Sequence, residues 1–320
     1  MIDNATPNSS EAPVEAVLRD ALAQGDIALG TIAPILGHLL ANHNHSMFSD
    51  ETVARVWGMV SHIAYQLLMA QGEAAGQDDP DRFAGEHSEG LAAVLIEHSA
   101  LLTHCHALAT EWQVTVELEG RDSIDPVLSP LLQALIASDD GATAALAMTA
   151  LASQVRFIQQ NRRMELPLGE LPGDLFHQIL TIWRGNSGAE GGEFIADAET
   201  KLRTSFDEST GRLGLLSRLV TGMGSGAAAA LSISHAGFAL FISTLAMLSN
   251  QNRDVVAVST NDGQMARLAL ALRAAGLDTK AVEQQFLHIH PDMIMPDVFD
   301  LLRPDRAASM LATSDRNSVG

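Results

Sequence analysis

Positive charge is what this chain most lacks. Lys and Arg number 19 against 39 Asp and Glu, a formal charge of −20 over 320 residues. Nucleic acids and anionic lipid surfaces are held by clustered Lys and Arg, so this surface repels both, and neither is an expected partner. Cys105 is the one cysteine. That excludes an intramolecular disulfide framework and a multi-cysteine zinc site, and it fits a reducing compartment. Aromatic residues make up only 4%, so Leu, Ala, Ile, Val and Met must fill the interior. Such residues favour closely packed helices over sandwiches and barrels. The opening stretch, Met1 to Pro13, has Asp3 and Glu11 ahead of the first basic residue, Arg19. A secretory signal needs a basic start and then an apolar run, so a cytoplasmic location is expected.

What is present is an apolar share of 47%, enough for a folded chain with a sizeable core. Its periodicity predicts helices almost throughout. The clearest predicted helix runs from Leu91 to Trp112, with Val94, Leu95, His98, Leu101, Leu102, Cys105 and Leu108 on one face. Another opens at Ser49 as N-cap, with Asp50 and Glu51 in its first turn and Phe48 placed to staple onto Val53. Its stripe continues through Val56, Val60, Ala64 and Leu67. Met265, Leu268, Leu272 and Ala275 predict a helix stopped by Gly276, and Asp278 or Thr279 caps the next. Only Asp254 to Thr260 has strand-like composition, and one such run builds no sheet, so it reads as a loop or helix start. Gly, Asp, Glu, Asn and Ser gather at 71–90, at Gly185 to Glu193 and beyond Thr313. The expected organisation is a disordered start at 1–13, helical units at 14–120 (with an acidic loop at 71–90), 121–210 and 211–312, and a disordered tail at 313–320.

An internal similarity supports that division. Ala33-Pro34-Ile35-Leu36 through Ala41 matches Ser129-Pro130-Leu131-Leu132 through Ala137, and Gly214-Leu215-Leu216 through Val220 is a looser third copy. Each is followed by a turn and a longer predicted helix. The second and third of these helices begin Ala144-Ala145-Leu146 and Ala229-Ala230-Leu231. The spacings, 96 and about 84 residues, are about twice the 40 to 47 residues of a HEAT-type helical pair. In layout, over about Thr31 to Ala312, the chain resembles HEAT-like α-solenoid proteins. The regularly placed Pro, Asp and Arg of that family are not repeated, so the resemblance carries over no functional residue. The expected fold class is all-α, either such a helical repeat or an irregular multi-helix bundle.

Gly226 to Ser249 carries no charge and is long enough to cross a bilayer. Its serines and His235 favour a buried central helix instead. Gly222-Met223-Gly224-Ser225-Gly226 has the glycines of a phosphate loop but no preceding strand and no Lys, so it reads as a turn capped by Ser225. His43 with His45, His104 with His106, and His288 with His290 (near Asp292) are spaced as potential ligand pairs. Residues two apart on a helix diverge, and no resident metal or cofactor is expected. The remaining candidates are residues whose placement matters. His98 and His235 fall on apolar faces, where an imidazole needs polar partners. Asp174 and His177, three apart on a predicted helix, share a face as an acid/base pair would. Arg156, Arg162 and Arg163 form the one cationic cluster, near a helix C-terminus, and suit an acidic partner.

The expected function is a helical scaffold or adaptor that binds another protein, including a second copy of itself, rather than an enzyme. Stacked helices expose long faces and need no catalytic motif. The alternatives are a helical enzyme or ligand-binding protein with a pocket near His235 or near Asp174 and His177, and a membrane role through 226–249.

Overall fold

The computed structural model describes residues 11–42, 49–186, 192–293 and 297–318. Among them the fold is all-α, with α-helices and short 3-10 segments and no strand. Contacts gather the chain into two compact units, each built from separated stretches. The first holds Met1–Ile32, Gln113–Ala134 and Val220–Gly320, and the second Ala33–Trp112 and Leu135–Leu219. This division does not follow the expected consecutive segments 14–120, 121–210 and 211–312. Its boundaries instead fall inside helices, because residues far apart in sequence share one core.

In the second unit, α2 (Asp50–Ala74) begins as its sequence dictates. Ser49 Oγ accepts from the Thr52 amide at 3.2 Å, and Asp50 and Glu51 stand in the first turn. Val53, Val56, Met59, Val60, Ile63, Ala64 and Leu67 are all 2% exposed or less. Asp79 caps α3 (Pro80–Leu95), with Pro80 at its first position. The two helices form a tightly packed hairpin. The expected loop at 71–90 is therefore confined to 75–79, because Asp79 and Pro80 start a helix inside the acidic stretch. Phe48, the expected staple, lies outside the described residues.

The expected single helix from Leu91 to Trp112 is two. After α3 the chain turns at 96–98 and enters α4 (Ser99–Asp122), bent by 103° from α3. The turn is closed by His98, whose Nδ1 accepts from the Leu101 amide at 3.4 Å. Apolar spacing is indifferent to this break because buried residues lie on both sides of it.

Beyond α5 (Pro130–Ile136) and α6 (Gly141–Arg162), α7 (Gly173–Asn186) and α8 (Gly192–Ser205) pack on α3 and α2. Then comes α9 (Arg212–Gly222). Gly224, at φ +52, ends it, and residues Gly224–Leu231 form a 3-10 segment with no side-chain cap. Ser225 is thus not the expected cap, and Ala229-Ala230-Leu231 starts no α-helix. In the first unit, that segment meets α10 (Ile233–Ser249) at 115°. Gly237 breaks α10 at φ 71 and ψ 161, where a β-carbon would stand 3.1 Å from that of Ser129. Most of α10 is core, with Phe241, Ile242 and Leu245 fully buried. Among the described residues no single helix is long and apolar enough to cross a membrane.

The strand-like run is α11 (Arg253–Val258), capped by Asn252. Next, α12 (Met265–Ala274) stops at Gly276, φ +99, and Asp278 caps α13 (Thr279–Ile289). Leu268 through Leu272 are all at most 1% exposed, because α12 lies among α10, α13 and α14 (Pro304–Ser318). The last helix occupies most of the expected disordered tail.

Helix packing is close enough to overrule helix propensity at Gly58. Alanine is ordinarily favoured over glycine in a helix by about 1 kcal/mol, but at Gly58 the added methyl would lie 2.6 Å from Met164 Cβ and 2.8 Å from its carbonyl oxygen. Overpacking of this kind costs about 1–3 kcal/mol, so Gly58→Ala should lower stability, seen as a lower urea midpoint with an unchanged slope.

Candidate functional site

Helix α6 is held from its inner side by two buried guanidiniums. Its N-terminus is fixed by Asp140, whose carboxylate accepts from the Thr143 hydroxyl at 2.6 Å and from the amides of Thr143 and Ala142 at 3.1 and 3.4 Å. The Thr143 contacts lead in holding that carboxyl below its usual pKa. Farther along, Gln154, Phe157 and Asn161 point inward. Arg212 reaches all but the last of these. Its guanidinium grips Glu111 through two bonds of 2.7 and 2.9 Å, donates to Gln154 at 3.3 Å and lies 3.6 Å from the ring centre of Phe157. The Arg212 amide donates to Glu170 at 2.7 Å. Arg55 performs the matching task at the end of the helix. It donates to the Asn161 carbonyl and to Glu51 and lies 5.1 Å over Trp112.

These anchors set the rotation of α6 and so decide what it shows outward. Helical geometry places Ala145, Met148, Ala152, Val155, Arg156, Gln159 and Arg162 on the opposite side, and all are exposed. Met148 is 52% and Val155 38% exposed, high for apolar side chains. From Gly141 to Arg163 the sequence contains no carboxylate. Arg163 stands 4.0 Å from Glu165, while among the described residues Arg156 and Arg162 have no carboxylate partner. The result is a half-apolar, half-cationic face on a strongly acidic chain.

The other expected site residues have separate places. His98 is half-buried and serves as the cap of α4. His235 is exposed rather than on an apolar surface, because the bend before Ile233 restarts the helical phase and turns it outward. Asp174 and His177 are both exposed on α7 but are not bonded to each other. His177 Nδ1 lies 2.6 Å from Arg203 Nη1 and its ring packs edge-on against Phe206. A guanidinium only donates, so Nδ1 must accept and the ring proton sits on Nε2.

The paired histidines do not converge either. His288 bonds Asp122 at 2.8 Å and His290 bonds Asp262 at 3.1 Å, while Asp292 is exposed. His43 and His45 lie outside the described residues. Among those described, no group of three or more His, Cys, Asp or Glu side chains is placed to hold a metal ion. The sequence offered no sign of Arg212, Glu111 or Arg55 as organisers, since each partner arrives from a remote segment. The chain matches no protein-family model, no curated protein and no solved structure.

Two stability tests address these buried groups. Truncating one partner of a buried ion pair strands the other charge, at a cost of about 3–5 kcal/mol. Glu111→Ala should therefore destabilise the protein by that order in urea denaturation, and the paired change to Glu111→Leu with Arg212→Met should cost much less. His106, 3% exposed, has its pKa lowered by burial from 6.5 to about 4. The unfolded chain takes up that proton near the upper value and the folded chain only near the lower. Stability should thus decline as pH falls through this window, by about 3 kcal/mol from His106. The His106→Leu variant should lose this component of the pH slope.

Proposed function

We propose that the chain is a helical scaffold or adaptor, and that the outward face of α6 docks an acidic amphipathic helix of another protein. The observation that carries this reading is the carboxylate-free face itself: exposed Met148 and Val155 followed by Arg156, Arg162 and Arg163 on a chain of net charge −20. An apolar stripe on the partner would lie over Ala145, Met148, Ala152 and Val155, with its carboxylates beside the arginines. Complementary charge steers such an encounter and sets its direction. Two copies of this chain repel each other over most of their surfaces, which favours as occupant a different protein whose acidity is confined to the docking helix. In this reading the chain's packed helices serve as those of HEAT-like repeats do, by presenting a helix face to a partner.

A fluorescent helical peptide with a leucine stripe flanked by glutamates tests the proposal by anisotropy. It should bind saturably and weaken as salt is added. Reversing Arg156, Arg162 and Arg163 to Glu should lower affinity about tenfold without altering the circular dichroism spectrum, and Met148→Asp should weaken binding as well. Equal binding of the charge-reversed variant, or preference for the same peptide with lysines in place of glutamates, would overturn the docking site. A dimer in sedimentation that the same substitutions dissolve would replace the acidic partner with a second copy.

A further inference from the structure

The first unit contains a cavity of about 150 Å³ between α1 (Glu11–Asn42) and α14. Two of its lining residues, Asp26 and Ser314, belong to a bonded polar set. Arg267, 3% exposed, donates to Asp26, to Ser314 Oγ at 2.6 Å and to Gln251 at 2.6 Å, and the Ser314 hydroxyl in turn donates to Asp26. Asp26 is therefore already engaged and offers little to a cationic ligand. Leu22, 3% exposed, and Met310, 7% exposed, supply apolar wall.

The exposed rim is different. Glu15 accepts from Arg306 at 3.0 and 2.7 Å, and this pairing leads in holding its carboxyl below the ordinary range. Arg19, its side chain 61% exposed, reaches Glu15 only at 4.0 Å. Among the described residues Arg306 is paired with Glu15 and Arg267 with Asp26, whereas Arg19 retains donors that no described residue uses. In an acidic chain, an exposed guanidinium with such donors beside an apolar wall is a selective feature.

We propose that this cavity binds a small monoanion with a short apolar body, its carboxylate held by Arg19 at the rim and its hydrocarbon part against Leu22 and Met310. The volume fits a body of about six carbon atoms, since a cavity of about 150 Å³ accommodates benzene. A guanidinium fork matches a carboxylate through two parallel charge-assisted bonds. This site is independent of the α6 face.

Calorimetric titration of the full chain with hexanoate, hexanol and hexylamine tests the assignment. Hexanoate should bind saturably and more tightly than hexanol, and hexylamine should not bind. Arg19→Gln should weaken hexanoate about tenfold, the loss of one charge-assisted bond. Ala23, exposed and on the cavity lining, allows a second variant: Ala23→Phe should abolish binding while the thermal melt of the unliganded protein stays unchanged. Absence of saturable hexanoate binding, equal affinity for hexanol, tighter binding of hexylamine, or unchanged binding in Ala23→Phe would each overturn the proposal.

Discussion

The Arg212 guanidinium, sealed against Glu111, Gln154 and the ring of Phe157, is the constraint on which the second unit depends. Arg212 is 2% and Glu111 0% exposed, so both charges are stripped of water. Such a pair is tolerated only when its geometry is nearly complete, which makes it a poor source of net stability and a strong selector of arrangement. Any slip of α6 or α9 would leave a bare charge in a low-dielectric interior. The pair thereby fixes which side of α6 faces inward. The apolar and cationic character of its outer side follows from that rotation.

The first unit uses the same device with different chemistry. Arg267 joins α12 to Asp26 of α1 and Ser314 of α14, segments near opposite ends of the chain. Close approach nearby is secured by Gly25, whose carbonyl accepts from Gln264 at 2.7 Å and where a β-carbon would lie 2.6 Å from the Gln264 side-chain oxygen. Around each arginine the packing is aliphatic and tight. Small and branched side chains bring helices close enough that one methyl at Gly58 is felt. With few aromatic rings to fill volume, the buried polar clusters supply directional restraint that Leu and Ala cannot.

The two proposed sites share an origin. Each lies on a helix anchored by a buried arginine, and each offers a guanidinium on a chain that is acidic as a whole. An acidic exterior repels most anions and acidic surfaces, so a confined cationic patch gains selectivity from its surroundings. Neither site resembles a linear motif. The α6 face draws its residues from one helix, whereas the cavity takes Arg19 and Met310 from segments separated by most of the sequence.

Helical periodicity, capping at Ser49, Asp278 and Gly276, and the cationic cluster at Arg156, Arg162 and Arg163 were determined by the sequence alone. These features depend on residues within a few turns of one another, where spacing translates directly into geometry. The break at His98, the outward turn of His235 and the joining of distant stretches into two units were decided only by tertiary structure. So were the bonds from Arg212 to Glu111 and from Arg267 to Asp26, which span 101 and 241 residues. Apolar spacing says that a face must be covered but not by which segment. The buried charges resolve that choice, because each finds a complete set of partners only when these remote helices meet.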